Sequence, residues 1–169
     1  KNLMKTIISS LEKKHFPVML DEVVQSCLSI KKNQLIIDCT FGGGRYSREL
    51  LKFSNNKVIA LDRDKSAANR AENLEKNFPN KFIFYNNKFS DLDKIIKKGN
   101  KPDVIIFDLG LSTFQLQDYS RGFSFKSNKR IDMQMGLSET SAEDVINNCD
   151  EKNLKLIIKI LGEEQEAGR

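Results

Sequence analysis

The sequence predicts an α/β fold built on a parallel sheet covered on both faces, and three observations lead there. Apolar runs recur without polar alternation at residues 35–40, 57–62 and 103–108, the pattern of strands buried on both sides. Segments of helical spacing separate the strands, so the chain alternates strand and helix as βαβ units do. The strands meet acids at their carboxyl ends, Asp38, Asp62 and Asp108, and the first runs straight into Gly42-Gly43-Gly44. Ligands of open parallel sheets sit at those ends, so the glycines, Asp62 and Asp108 are expected to share one site.

Taken in order, residues 4–13 have the spacing of a short amphipathic helix, stopped at His15-Phe16-Pro17-Val18 because proline disfavours helical geometry in the residue before it. Asp21 is a candidate N-cap for a helix to about Ile30, with Val23, Val24, Cys27 and Leu28 on one face. After the first strand and its glycines, residues 46–53 are helix-compatible. The second strand, 57–62, leads to a helix over 65–78 that turns Ala67, Ala68, Ala71, Leu74 and Phe78 toward the sheet. A third strand covers 81–85, and a helix over 91–98 stops at Gly99 before the fourth strand at 103–108. Beyond Gly110 the pattern is loop-like to Gly136, then helical over 142–148 and 151–161, with no fifth core strand.

The 169 residues suffice for a core without staples. Three cysteines with no CxxC pair suit reduced thiols, and the absence of both a run of ~20 apolar residues and a signal-peptide layout predicts a soluble, cytoplasmic protein with no membrane partner. The net charge of +5 makes a polyanionic partner plausible, with a plain solvated basic surface as the alternative. The chain starts at Lys1 and ends just after a charged run, the expectation for a piece of something longer.

The glycines permit close approach of backbone to a ligand. They form neither a P-loop nor a GxGxxG fingerprint. Asp62, about twenty residues on, has the position of a carboxylate that accepts ribose hydroxyls, or of a helix N-cap. Phe89 either lines an adenine pocket or belongs to the core. Asp108, ahead of Gly110, can hold an ammonium or a substrate amine by charge-assisted hydrogen bonds, or is an ordinary loop acid. His15 is the single histidine, so no metal site is expected, and no GxSxG or Cys/His nucleophile is present. The stretch Arg121-Gly122-Phe123-Ser124-Phe125-Lys126 interleaves aromatics with cations, suited to stacking on bases or to plugging a loop down. These residues alone reach an adenosine-cofactor α/β enzyme with nucleic acid as candidate substrate.

Several segments together resemble one family: His15-Phe16-Pro17-Val18-Met19-Leu20-Asp21-Glu22, Asp38-Cys39-Thr40-Phe41-Gly42, Leu61-Asp62-Arg63-Asp64, Phe89-Ser90-Asp91-Leu92, Asp108-Leu109-Gly110-Leu111-Ser112 with Gln115-Leu116, Arg121 to Phe125, and Ile131-Asp132-Met133-Gln134-Met135. In order and spacing they are similar to the bacterial methyltransferases that modify N4 of a cytidine in small-subunit ribosomal RNA. The resemblance implies S-adenosylmethionine as cofactor and a Rossmann-like methyltransferase core over residues 1–118, with strands 1–4 of an incomplete sheet. It further implies that 119–169 begin an inserted helical domain for substrate recognition.

Carried over by position, Gly42, Gly44, Arg45 and Tyr46 would surround the methionine part of the cofactor and Asp62 the ribose. Phe89 would lie on the adenine side, with Asp108 and Gln115 near the transferred methyl and Asp108 as the catalytic residue. Phe114, Arg121, Phe123 and Asp132 would meet the substrate. The resembled family usually keeps glycine at the place of Arg45 and often histidine at that of Tyr46. The implied partner is ribosomal RNA in the small subunit, and uncovered sheet edges would invite a homodimer. Two other readings fit parts of the chain: a catalytically silent RNA-binding or assembly module of the same fold, and an NAD-linked oxidoreductase, which the absent GxGxxG disfavours.

Overall fold

The computed structural model describes residues 19–30, 32–53, 55–96 and 101–168. The expected helix over 4–13, the His15 to Val18 segment and the Gly99 stop lie outside the described residues. Four strands, β1 (Leu35–Asp38), β2 (Lys57–Leu61), β3 (Phe82–Tyr85) and β4 (Val104–Ile106), form one parallel sheet in the order β3-β2-β1-β4. This is the expected α/β fold, and the order is that of the first four strands of a doubly wound Rossmann-like sheet. The chain works outward from β1 to β3 and then crosses to the other side of β1. A crevice therefore opens between the carboxyl ends of β1 and β4.

Register assigns the faces. Ile36 pairs with Val58 and Val104, and Asp38 with Ala60 and Ile106, all on one face. There α1 (Leu20–Leu28), α2 (Arg45–Leu51) and α3 (Ser66–Asn77) bury Leu20, Cys27, Leu50, Leu51, Ala67, Ala71 and Leu74 against the strands. The alanines of α3 let that helix lie close to the sheet. On the opposite face Ile37, Cys39 and Leu61 are buried with Ile59, under Leu92 and Ile95 of the single-turn α4 (Leu92–Ile95) and Ile96. Ile83, Tyr85, Ile105 and Phe107 of that face stay exposed.

The amino-terminal ends of the strands are tied by polar groups. Buried Gln34 donates its backbone N–H to Asn56 and its side-chain amide to the Cys27 carbonyl, 2.6 Å away. Leu35 N–H donates to the Asp103 carboxylate at 2.9 Å while Asp103 N–H donates to the Leu35 carbonyl at 2.8 Å, so Asp103 registers β4 on β1 just ahead of the strand.

Several boundaries differ from expectation. Met19, not Asp21, caps α1, because Leu20 enters the helix as a buried first residue and carries Asp21 into the first turn. β1 stops at Asp38 and β4 at Ile106, where the chain lifts off into the ligand-end loops. A 3₁₀ turn, Phe89–Asp91, precedes α4. The segment read as loop holds a helix, α5 (Thr113–Gln117), and a 3₁₀ turn, Tyr119–Arg121. Both are too short for periodicity to reveal.

The chain divides into two compact units, residues 1–113 and 114–169. In the second, Gly122 at φ 74° packs so closely on the returning strand of loop that a Cβ would come 2.6 Å from the Arg130 carbonyl oxygen. Helix α6 (Ala142–Asn148) starts from a capping box in which Ser141 and Asp144 satisfy each other's backbone N–H. Its next two free donors, on Ala142 and Glu143, go to the Asp132 and Ile131 carbonyls. Asp150 caps α7 (Glu151–Leu161). No described helix is long and apolar enough to cross a membrane.

Gly44 adopts φ 71° as the N-cap of α2, and a Cβ there would sit 2.5 Å from the Phe41 ring. Gly44→Ala is therefore expected to lower unfolding free energy in urea by about 1–3 kcal/mol. Gly42→Ala, at φ 50° with an ordinary 3.9 Å contact to the Thr40 carbonyl oxygen as its nearest neighbour, should cost less. Equal losses would contradict the packing account.

Candidate functional site

The loop after β1 is shaped by two carboxylates. Asp38 is fully buried; it accepts a hydrogen bond from the Ser47 hydroxyl at 2.6 Å and one from the Thr40 N–H at 3.3 Å. Ser47 lies on α2, so this contact fastens the helix to the strand across the glycines. Asp62, at the tip of β2, accepts from Gly42 N–H at 2.7 Å through one oxygen and from Asp64 N–H at 2.8 Å through the other. Arg70, reaching from α3, donates to the Gly42 carbonyl at 2.8 Å. The glycine loop is thus gripped from both its N–H and its C=O side.

Asp62 is not the cap of the following helix. Asp64 takes that work, accepting from Ser66 N–H at 3.0 Å. The Asp62 side chain holds the loop over the sheet with one accepted hydrogen bond per oxygen, and it stays only partly buried.

β4 delivers the third acid. Asp108 N–H donates to the Thr40 hydroxyl at 2.7 Å, which pins the start of the post-β4 loop to the post-β1 loop across the crevice, and the Asp108 residue is exposed. Beside it, Phe107 meets Phe89 edge to face, with ring centroids 5.5 Å apart. Both rings are about half exposed, so Phe89 is no core residue.

The three acids also act on one another and on their surroundings. Burial pushes the Asp38 carboxyl up to about 6; hydrogen bonds from Ser47 and Thr40 work against that, while the charges of Asp62 and Asp108 add to it. Burial also raises Asp62, opposed by the Asp64 and Gly42 N–H groups. The buried Tyr46 phenol is raised by burial and then by Asp108 and Asp38. The crevice therefore gathers negative charge, offset in part at Asp62 by Arg70. It suits a ligand that is cationic or rich in donors, and it opposes a diphosphate.

Of the residues singled out from sequence, Gly42, Gly44, Tyr46, Asp62, Phe89 and Asp108 all belong to the first unit around the strand ends. Arg45 is the half-buried first residue of α2. Gln115, Phe114, Arg121, Phe123 and Asp132 belong to the second unit. There Gln115 is buried in α5 and Phe114 half exposed. Arg121 donates to the Gln134 carbonyl and lies over the Phe123 ring, 5.6 Å from its centroid. Asp132 has one buried carboxylate oxygen with no hydrogen-bond partner. Sequence reasoning missed Asp38, Thr40 and Arg70 as loop-holding groups. Asp38 and Thr40 stood inside a quoted motif, but nothing local marks Arg70.

A parallel sheet of this order, with a glycine loop after β1 and acids at three strand ends, is a Rossmann-like methyltransferase fold. The chain belongs to the MraW methylase family, whose profile matches residues 12–169. It is 38% identical over 155 residues to a ribosomal RNA small subunit methyltransferase H of Orientia tsutsugamushi (strain Ikeda), covering 92% of this chain and 49% of that protein. Proteins of the same description are similar in Rhodospirillum rubrum, 41% over 155 residues covering 90% and 47%. In Clostridium botulinum (strain 657 / Type Ba4) the figures are 41% over 160 residues, covering 92% and 51%. The chain spans about half the length of the curated relatives it matches.

The Asp38 assignment is tested by pH. Below about pH 4 Asp38 is protonated folded and unfolded, and its contribution to stability is fully present; as pH rises through about 6 the native carboxyl ionises in a buried site and that stability is lost. The expected loss is on the order of 2–3 kcal/mol between about pH 4 and 7. Asp62 titrates in the same sense, so the measurement is the difference between wild type and Asp38→Asn in urea unfolding across that range. Parallel profiles would contradict the account.

Proposed function

We propose that this chain carries the cofactor-binding part of an S-adenosylmethionine-dependent methyltransferase that acts on the exocyclic N4 of a cytidine in small-subunit ribosomal RNA. The observation that carries the reading is the convergence of Asp38, Asp62 and Asp108 on a glycine loop that lacks a phosphate-binding signature, in a member of the MraW methylase family. S-adenosylmethionine has no phosphate and is positively charged at sulfur, so an acidic crevice favours it and disfavours a dinucleotide. The names of the relatives support ribosomal RNA as the substrate.

The residues present fit that cofactor. A Cβ at Gly42 would touch only the Thr40 carbonyl oxygen, 3.9 Å away, so the loop leaves room beside it for the methionine part. Asp62, held by two backbone N–H groups, keeps unused lone pairs for the ribose hydroxyls. Phe89, half exposed beside Phe107, offers a ring to the adenine side. The cofactor supplies an activated methyl group; the protein supplies placement.

Asp108, or a backbone carbonyl beside it, accepts an N–H from the substrate amine and turns the nitrogen lone pair toward the methyl. Catalysis of this kind is mostly positioning. Residues 1–118 serve as the cofactor core, with Gln115 near the transferred methyl, and 119–169 begin the substrate-recognition part; Phe114 of the former and Arg121, Phe123 and Asp132 of the latter meet RNA. The cytoplasm, where reduced Cys27, Cys39 and Cys149 persist as free thiols, is the place of action.

The test is transfer of labelled methyl from S-adenosylmethionine to small ribosomal subunits that lack the modification. The expected result is label in a single cytidine, reduced at least about a hundredfold by Asp108→Ala, consistent with loss of a positioning contact. Full transfer by Asp108→Ala would remove that residue from the role. A folded chain that neither binds S-adenosylmethionine nor transfers methyl would favour the silent RNA-binding module instead.

A further inference from the structure

We infer that the turn at Ser124 to Arg130 is a stacking platform for single-stranded RNA, with Phe125 as the ring on which a base lies. This rests on the reading of RNA as substrate given above and names the contact surface. Phe123 is half-buried under the Arg121 guanidinium, so its near face is taken. Phe125 is fully exposed, the most exposed large apolar side chain among the described residues.

A ring left in water on a floppy loop would carry little weight, but this turn is built. Ser127 N–H donates to the Ser124 carbonyl at 2.9 Å and Lys126 N–H to the Ser124 hydroxyl at 3.2 Å. Lys129 N–H donates to the Ser127 hydroxyl at 3.1 Å, and that hydroxyl donates to the Tyr119 carbonyl, tying the turn to the 3₁₀ segment. A preformed turn pays little ordering entropy when it binds.

Along the turn the charge is cationic, and the acids Asp132, Glu143 and Asp144 lie on its Lys129–Arg130 side. Lys126, Lys129 and Arg130 are exposed, and residues 121–130 contain no acid. Arg130 pairs with Glu143, which leaves Lys126 and Lys129 as the phosphate contacts. An aromatic with cations on one side of it suits a strand whose bases are unstacked; bases inside a duplex are not presented for stacking.

The test is fluorescence anisotropy of a fluorescein-labelled single-stranded RNA of about 12 nucleotides titrated with the full chain, with no methyl donor present. Phe125→Ala is expected to weaken binding at least about fivefold, and Phe125→Trp to retain it, since any aromatic face stacks. The Lys126→Gln, Lys129→Gln double variant is expected to lower the slope of log affinity against log salt by about 1.4, whereas Phe125→Ala leaves the slope unchanged. A loss below fivefold for Phe125→Ala, an equal loss for Phe125→Trp, equal affinity for duplex RNA, or no binding by the wild-type chain would each overturn the inference. Because the assay contains no methyl donor, the platform can fail while methyl transfer stands, and RNA binding through Phe125 can hold while methyl transfer fails.

Discussion

The structure of the first unit depends on one buried carboxylate. Asp38 sits at the end of the central strand with no exposed surface, and its charge is tolerated only because the Ser47 hydroxyl and the Thr40 N–H reach it. An unpaired charge in such a place would cost several kcal/mol. The same two contacts force the chain to turn tightly between β1 and α2, and that turn demands left-handed glycines. The shape of the loop is thus a consequence of satisfying Asp38. Asp62 and Arg70 then fix the loop's height above the sheet by holding the N–H and C=O of Gly42.

From that constraint follows the field of the site. Three strands end in acids that influence one another, and Thr40 ties the third, through the Asp108 N–H, to the loop shaped by the first. The crevice between β1 and β4 therefore carries negative potential at the point where the strand order reverses. Arg70, which holds the Gly42 carbonyl and lies beside Asp62 and Asp64, offsets part of it at Asp62 and leaves Asp38 and Asp108 as the uncompensated acids of the crevice. Arg45, which stands where the resembled family keeps glycine, enters α2 as its first residue without disturbing the glycine turn, because Gly44 takes the left-handed position.

Much of this was legible in the sequence, for physical reasons that can be named. Apolar runs without alternation revealed the strands, and the acid-then-glycine pattern at 38–44 marked the ligand end. Legibility failed where structure is shorter than its own signal: α5 and the two 3₁₀ turns occupy too few residues to show a period. It also failed where a long-range contact decides. Asp21 looks like an N-cap, yet burial of Leu20 moves the helix start. Asp103 reads as strand, yet its carboxylate is spent on Leu35 N–H. Arg70 looks like a surface charge on a helix, and only the fold brings it to Gly42. Phe123 and Phe125 are alike in sequence; their different exposure comes from Arg121 lying over one ring and not the other.

The central claim is that an acidic, phosphate-averse crevice at the β1–β4 switch point holds a sulfonium nucleoside. The most direct measurement is calorimetric titration of the chain with S-adenosylmethionine and, separately, with NAD. Binding of one S-adenosylmethionine per chain, weakened at least about tenfold by Asp62→Ala, with no heat from NAD, is the result predicted from two lost charge-assisted contacts to the ribose. Absence of S-adenosylmethionine binding by a folded chain, or preference for NAD, would contradict it.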